Sequence, residues 1–287
     1  MSDVRRQTFK SIHPGPLVTT LADDAPRSLA EVDGQGINLA SLDDAVGHAL
    51  ARACSGQGFT LFTLNLDHLV KRRRDPNFRR VYARATFVTA DGSPVARLAR
   101  SQGAKLSRTT GADLVMPLCE AAAMAGLPVY FFGTAPGVLN RAVARIKAAV
   151  PGLDIRGIDA PQADFDPLSD EANVAAARIA SSGARLCFVA LGAPKQELFA
   201  DRCLDHHPGI GFVCVGAALD FLAGEQSRAP VALRRGGLEW AWRLCADPRR
   251  LAIRYARCAL LLAELVVSEQ ARPRLPAPLC LDERGGS

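Results

Sequence analysis

No stretch of the 287-residue chain is apolar for long enough to cross a bilayer, although 48% of its residues are hydrophobic and its mean hydropathy is +0.07. A spanning helix needs about 20 consecutive apolar residues, so none is expected. No basic-plus-apolar segment opens the chain, so a secretory signal is not expected either. Residues 1–34, polar and Pro-containing, read as a loose N-terminal segment. The eight cysteines form no C-x-x-C pair, and no histidine stands at zinc spacing from them. Free thiols in the cytoplasm are expected over disulfides or a zinc knot. No G-x-G-x-x-G follows the first strand-like run, which counts against a nucleotide-binding oxidoreductase. There is no internal repeat, no low-complexity block and no DNA- or RNA-binding motif, so nucleic acid is not an expected partner.

What the chain does have is alternation. INLA (37–40), FTLFTL (59–64), TFVTA (86–90), PVYFFG (128–133), LDIRGI (153–158), LCFVAL (186–191) and GFVCVG (211–216) read as strands. Ser41 is placed to N-cap the helix that follows the first run, with Asp43 and Asp44 in its first turn. One basic helix is expected from about His68 to Arg84, carrying Lys71, Arg72, Arg73 and Arg74. Residues 93–125 read as mostly helical with a break around Thr109 to Gly111, and further helices are expected from about Val138 to Val150 and Asp170 to Ser181. Apolar runs alternating with amphipathic helices predict an α/β fold: a Rossmann-like, mostly parallel sheet flanked by helices. The core is expected at 35–227, a basic helical C-terminal appendage at 228–270 and a flexible tail at 271–287.

The chain is organised around LGAPKQE (191–197), a turn between a buried strand and a helix that carries Lys195, Gln196 and Glu197. Open α/β sheets place ligand groups at the carboxyl ends of their strands. Three more predicted strand ends carry polar groups. Thr63 and Asn65 offer a hydroxyl and an amide, Asp91-Gly92 a carboxylate, and Gly133 to Gly137 a Gly-rich turn before a helix whose N–H groups suit a phosphate. Such loops are full of Gly, Asp and Asn for turn reasons alone. Four at one edge of one sheet point to a site. Asp220 has two readings of equal weight, lining that site or capping its own segment.

Net charge is +6 with a pI near 9.0, which invites an anionic partner. The cations concentrate between Arg228 and Arg257, through Arg234, Arg235, Arg243, Arg249, Arg250 and Arg254, against only Glu239 and Asp247. A greasy segment, CALLLAELVV, follows. A basic, Trp-bearing stretch beside an apolar helix is what an interfacial membrane element looks like. The plainer reading is a helix packed on the domain with a solvated Arg face. Trp240, Trp242 and Phe221 fit a core, and His206-His207-Pro208 fits a helix C-terminus.

TLN (63–65), ADGSPVARLAR (90–100), SRTTGADL (107–114), LGAPKQELF (191–199), VGAALDFLAG (215–224), RAP (228–230) and GLEWAWRL (237–244) occur in that order. Together, over roughly residues 35–257, they resemble the WecG/TagA/CpsF family of bacterial glycosyltransferases. The resemblance implies inverting, metal-independent transfer of a sugar from a UDP-sugar to a polyprenyl-diphosphate-linked saccharide at the cytoplasmic membrane face. It puts Asp91 on the catalytic base and Thr63, Asn65, Arg108 and Gln196 on substrate-contacting positions. Gly133 and Asp220 are added as substrate-binding candidates. Arg228, Arg243, Arg249, Arg250 and Arg254 are added as candidates for the acceptor diphosphate and an anionic, peripheral membrane surface. No cofactor is expected. Asp164-Phe165-Asp166 has the Asp-x-Asp form of Mn²⁺-dependent glycosyltransferases, but it lies in a Pro-rich loop outside these motifs and reads as a solvated turn. The rival of another class is a non-catalytic sugar-nucleotide-binding or scaffold protein of polysaccharide assembly. The sequence names neither donor sugar nor acceptor, nor does it decide between monomer and homo-oligomer.

Overall fold

A computed structural model describes residues 26–226, 229–230, 233 and 239–270. Its centre is a six-stranded parallel sheet of β3 (Phe59–Leu64), β4 (Phe87–Ala90), β5 (Val129–Gly133), β6 (Ile155–Asp159), β7 (Leu186–Ala190) and β8 (Gly211–Cys214), in the order β4-β3-β8-β7-β5-β6. Side-chain alternation fills two cores. Phe59, Leu61, Phe131, Phe188 and Val213 point to one face, and Phe62, Leu64, Phe132, Val189 and Phe212 to the other. Both faces are covered by helices, which is why the strands are apolar throughout. Phe131 stacks on Phe188 at 5.0 Å, and on the opposite face Phe132 stacks on Phe199 at 4.6 Å. Each such ring contributes about 1.5–3 kcal/mol by leaving water.

The helices are α1 (Leu42–Ser55), α2 (Leu66–Arg74), α3 (Pro76–Ala83), α4 (Ser93–Ser101), α5 (Gly111–Met124), α6 (Pro136–Ala149), α7 (Asp170–Ser181), α8 (Lys195–His206) and α9 (Ala218–Ala223), followed by α10 (Glu239–Ala246) and α11 (Pro248–Gln270). Ser41 caps α1 as its sequence predicts, accepting from the Asp44 N–H at 3.1 Å. The single basic helix expected over 68–84 is two helices. Asp75 closes α2 and caps α3, its Oδ1 accepting from Asn77 and Phe78 N–H, and Pro76 takes the first helical position of α3, where a missing N–H costs nothing. The break inside 93–125 is a longer connection, residues 102–110.

Two expectations at the N-terminal side are also revised. Residues 30–34 are not loose, and 38–40 are not a strand: β1 (Ala30–Val32) and β2 (Gln35–Ile37) form an antiparallel hairpin. Its two-residue turn is Asp33-Gly34, with φ of 52° and 71°, the positive values that this tightest hairpin turn demands. Beyond it Asn38 works as a one-residue strand on the open edge of β4. Its Oδ1 accepts from Val88 N–H at 2.8 Å and its Nδ2 donates to the Thr86 carbonyl at 2.8 Å. That satisfies edge groups that would otherwise invite another chain.

The C-terminal appendage docks on α2. Leu251, Cys258 and Leu261 are buried on the inner face of α11. Ion pairs fasten it: Arg254 reaches Asp67 at 2.9 Å, and Arg73 bridges Glu264 at 2.8 Å and Asp33 at 2.7 Å. The appendage is therefore packed against the core, as the plainer sequence reading has it. Its outer face still exposes Arg249, Ile253, Arg257, Leu260 and Val267. Arg228 and the tail at 271–287 lie outside the described residues, as do the side chains of Arg243 and Arg250.

Candidate active site

Parallel strands deliver their carboxyl ends to one edge, so Asn65, Asp91, Gly133, the 191–197 turn and Gly216 converge there. The chain leaves β5 toward β6 on one side and β7 toward β8 on the other. The strand order therefore reverses between β5 and β7, the place where open α/β sheets admit a ligand.

At the β3–β4 side, the Asp91 backbone N–H donates to Leu64 C=O at 2.8 Å, which holds Asp91 beside Asn65. Asn65 has a use that the sequence reading missed: it N-caps α2, its Oδ1 accepting from His68 N–H at 3.1 Å. That fixes the amide so that Nδ2 faces Asp91 Oδ2 at 3.5 Å. Asp91 is partly exposed, and Thr63, nearly buried, precedes Asn65 at the end of β3. The loop carrying Arg108 runs alongside, because Thr109 N–H donates to Ala90 C=O at 2.9 Å and Thr89 Oγ1 donates to Thr109 C=O at 3.0 Å. A carboxylate and an amide thus share one corner of the sheet, with the backbone of the Arg108 loop beside them.

Gly133 has φ +122°, and a Cβ there would lie 2.5 Å from the Ala190 carbonyl oxygen across the strand pair. Gly133→Ala is expected to lower stability by about 2–4 kcal/mol, through backbone strain plus the clash. Urea denaturation measures it, and a loss under 0.5 kcal/mol would refute the reading. The next residue, Thr134, is strained as well, with φ +52°. Its hydroxyl donates to Asp220 Oδ1 at 2.6 Å, while Gln226 Nε2 donates to Asp220 Oδ2 at 3.4 Å. Asp220 is therefore brought to the β5 turn, bound to the very loop proposed from sequence as a phosphate turn.

Gln196 is turned inward. It is 2% exposed, its Oε1 accepts from Gly216 N–H at 3.0 Å, and its Nε2 donates to Glu197 Oε1 at 2.8 Å. It clamps the start of α8 to the end of β8. Beside it Lys71 Nζ donates to the Ala193 carbonyl at 2.8 Å and pairs with Asp67 Oδ2 at 2.8 Å. Glu197 is wholly buried, and burial pushes its carboxyl up to about 7. Against an unfolded value of 4.5, that raised pKa gives stability present in full below pH 4.5 and lost as pH rises to 7. The loss is roughly 3 kcal/mol at 1.36 kcal/mol per unit. His68, which burial and Lys71 push down to about 3, acts in the opposite sense below its unfolded value of 6.5. Glu197→Gln should therefore gain on the wild type between pH 4.5 and 8, with the His68 contribution common to both. Paired urea titrations at the two pH values test this, and a gap that ignores pH would sink it.

Between α2 and α11 lies a crevice of about 300 Å³ where Lys71, Arg74, Arg254 and Arg257 surround Asp67. Burial alone would raise the Asp67 pKa, but Arg254 and Lys71 outweigh it and hold the carboxylate low. Of the arginines proposed from sequence, Arg254 is brought to this crevice and Arg249 is exposed elsewhere on α11. Asp164 and Asp166 are exposed on either side of buried Phe165, and Asp166 Oδ1 accepts from Leu168 N–H at 2.9 Å. Among the described residues, no three His, Cys, Asp or Glu side chains converge as a metal-binding set.

Fold and site together define a class: a Rossmann-like α/β protein whose polar side chains gather at the carboxyl edge of a parallel sheet. Within that class, residues 30–275 match the Glycosyl transferase WecG/TagA/CpsF family. That span is most of the chain, so the chain belongs to this family and is a glycosyltransferase.

Proposed function

We propose that the chain is an inverting glycosyltransferase that moves a sugar from a UDP-sugar to a polyprenyl-diphosphate-linked saccharide in the synthesis of an exopolysaccharide, capsule or cell-wall polymer. It does so without a metal ion, at the cytoplasmic face of the membrane. The observation that carries this is the corner where Asn65 holds its amide toward Asp91, with the Arg108 loop alongside. Asp91 takes the proton of the acceptor hydroxyl as that oxygen attacks the anomeric carbon from the side opposite UDP. The bond from that carbon to the diphosphate oxygen breaks, its electron pair leaves with UDP, and the configuration inverts. The UDP-sugar lies along the carboxyl edge of the sheet, its nucleotide toward the Gly133 turn and the N-terminus of α6 and its sugar toward Asp91. Arg108 neutralises the leaving charge. The acceptor diphosphate enters beside Arg254 and the other appendage cations.

The test is incubation of the full chain with a panel of UDP-sugars and a short-chain polyprenyl-diphosphate sugar, with and without EDTA, and identification of the product by mass. A product of inverted configuration from one donor supports the reading. Activity lost to EDTA and restored by Mn²⁺ would overturn metal independence, and UDP-sugar binding without any product would favour a binding-only protein.

A further inference from the structure

Behind Asn65 runs a buried polar chain that the proposed chemistry does not use. His68 is 5% exposed and Tyr82 is wholly buried, yet both keep polar atoms where leucine and phenylalanine would pack without desolvation. A buried polar group left unpaired is costly, so such groups persist where they are paired and needed. Here they are paired. The Tyr82 hydroxyl lies 2.7 Å from His68 Nδ1, and His68 Nε2 lies 3.5 Å from Asn65 Nδ2. The ring is held edge-on by Phe78 at 6.0 Å, and Tyr82 packs on Phe62 at 5.2 Å and Phe78 at 5.1 Å.

Donor and acceptor logic orders this chain. Asn65 Oδ1 is taken by the His68 backbone N–H, so the amide cannot be reversed without losing the helix cap. Its Nδ2 only donates, and it lies 3.5 Å from both Asp91 Oδ2 and His68 Nε2. For the second contact to be a hydrogen bond, His68 Nε2 has to be bare and Nδ1 protonated, with that proton directed at Tyr82. The opposite tautomer would donate from the ring to the Thr63 backbone and leave Asn65 Nδ2 with Asp91 alone.

We propose that His68, as the Nδ1–H tautomer, is a positioning residue for Asn65 and through it for Asp91, with Tyr82 fixing the ring from behind. The proposal rests on Asp91 being the base of the reaction. Contacts of 3.5 Å are long, but catalytic hydrogen bonds often tighten only once substrate is bound. A base displaced by about 1 Å can cost 10²-fold in rate, so its support is expected to show in turnover.

The experiment uses the full chain and the UDP-sugar that the wild type turns over. His68→Gln keeps a hydrogen-bonding group near the place of Nε2, His68→Leu keeps volume alone, and Tyr82→Phe removes only the hydroxyl. His68→Leu is expected to lower kcat about 10-fold or more with the donor KM within about 2-fold. His68→Gln should recover most of that loss although both variants give up the ring's packing. Tyr82→Phe should lower kcat about 3- to 10-fold, again at constant KM. Independently of turnover, ¹⁵N NMR of the wild-type imidazole should show Nδ1 protonated and Nε2 bare between pH 5 and 8. An Nε2–H tautomer, equal kcat in the Gln and Leu variants, or a change in KM alone would overturn the proposal. A wild type that transfers no sugar would refute the enzymatic reading, while the tautomer would still decide the geometry. If Asp91→Asn is inactive and His68→Leu matches wild type, only the positioning role fails.

Discussion

Asp91→Asn is expected to fold, to bind UDP as the wild type does, and to lose turnover by roughly 10²-fold or more, the usual scale for removing a general base. The change keeps the shape of the side chain and replaces one carboxylate oxygen by an amide. The backbone anchor, Asp91 N–H to Leu64 C=O at 2.8 Å, is untouched, so the strand end should not move. The contact with Asn65 is the sensitive part. An amide nitrogen facing Asn65 Nδ2 would repel it, while the amide oxygen would still accept from it. The second orientation keeps the fold and still cannot accept a proton. Circular dichroism, UDP titration and initial rates on the same preparation separate the possibilities. Near wild-type turnover would remove Asp91 from the chemistry, and loss of UDP binding along with activity would mean that it holds the donor instead.

The second large effect belongs to the outer face of α11. Ile253, Leu260 and Val267 are 64%, 74% and 66% exposed, and their seven-residue spacing sets them in one line along the helix. Arg249 and Arg257 are exposed on the same helix. No helix among the described residues is long and apolar enough to cross a membrane. An apolar line with cations near it instead suits the plane of an anionic headgroup layer. Each of these side chains would contribute about 1.5–3 kcal/mol on leaving water, and each nearby cation about 1 kcal/mol. Replacing all three by serine should leave stability nearly unchanged, because exposed positions tolerate substitution. Co-sedimentation with anionic vesicles should weaken roughly 10³-fold or more. Transfer to an acceptor carried in those vesicles should fall with it, and UDP binding should not. Vesicle binding that survives the triple variant, or that ignores salt and lipid charge in the wild type, would leave α11 as packing alone.

Much of this was legible in the sequence, and the reasons for what was not are local. Apolar runs bounded by Gly, Asp and Asn gave the parallel strands, and Ser41 with Asp43 and Asp44 announced α1. The edge location of Asn65, Asp91, Gly133 and the 191–197 turn followed from the alternation of strands and helices. The Asp75-Pro76 cap was written plainly but was masked by the basic run before it, which reads as one continuous helix. Asp33-Gly34 is a strong hairpin signal, yet the strands beside it are three residues each, too short to show a period. No spacing rule tells which way Gln196 turns in the first turn of a helix; only the Gly216 N–H and the buried Glu197 decide it. Tyr82 reaches the floor of the site only because α2 and α3 fold back on each other. Asn65-x-x-His68, by contrast, has the spacing of an N-cap and could have been read as one.

Asp67 stands between the cations of α2 and of α11, holding Lys71 and Arg254 at 2.8 and 2.9 Å. An incoming anion that draws on either one competes with a carboxylate already in place. Its net gain is the difference between two ion pairs, not the full strength of one. Such an arrangement would limit how tightly an anion could be retained there. The same carboxylate reaches the 191–197 turn through Lys71 and the Ala193 carbonyl. A change in the Lys71–Asp67 pair would therefore be felt at that turn.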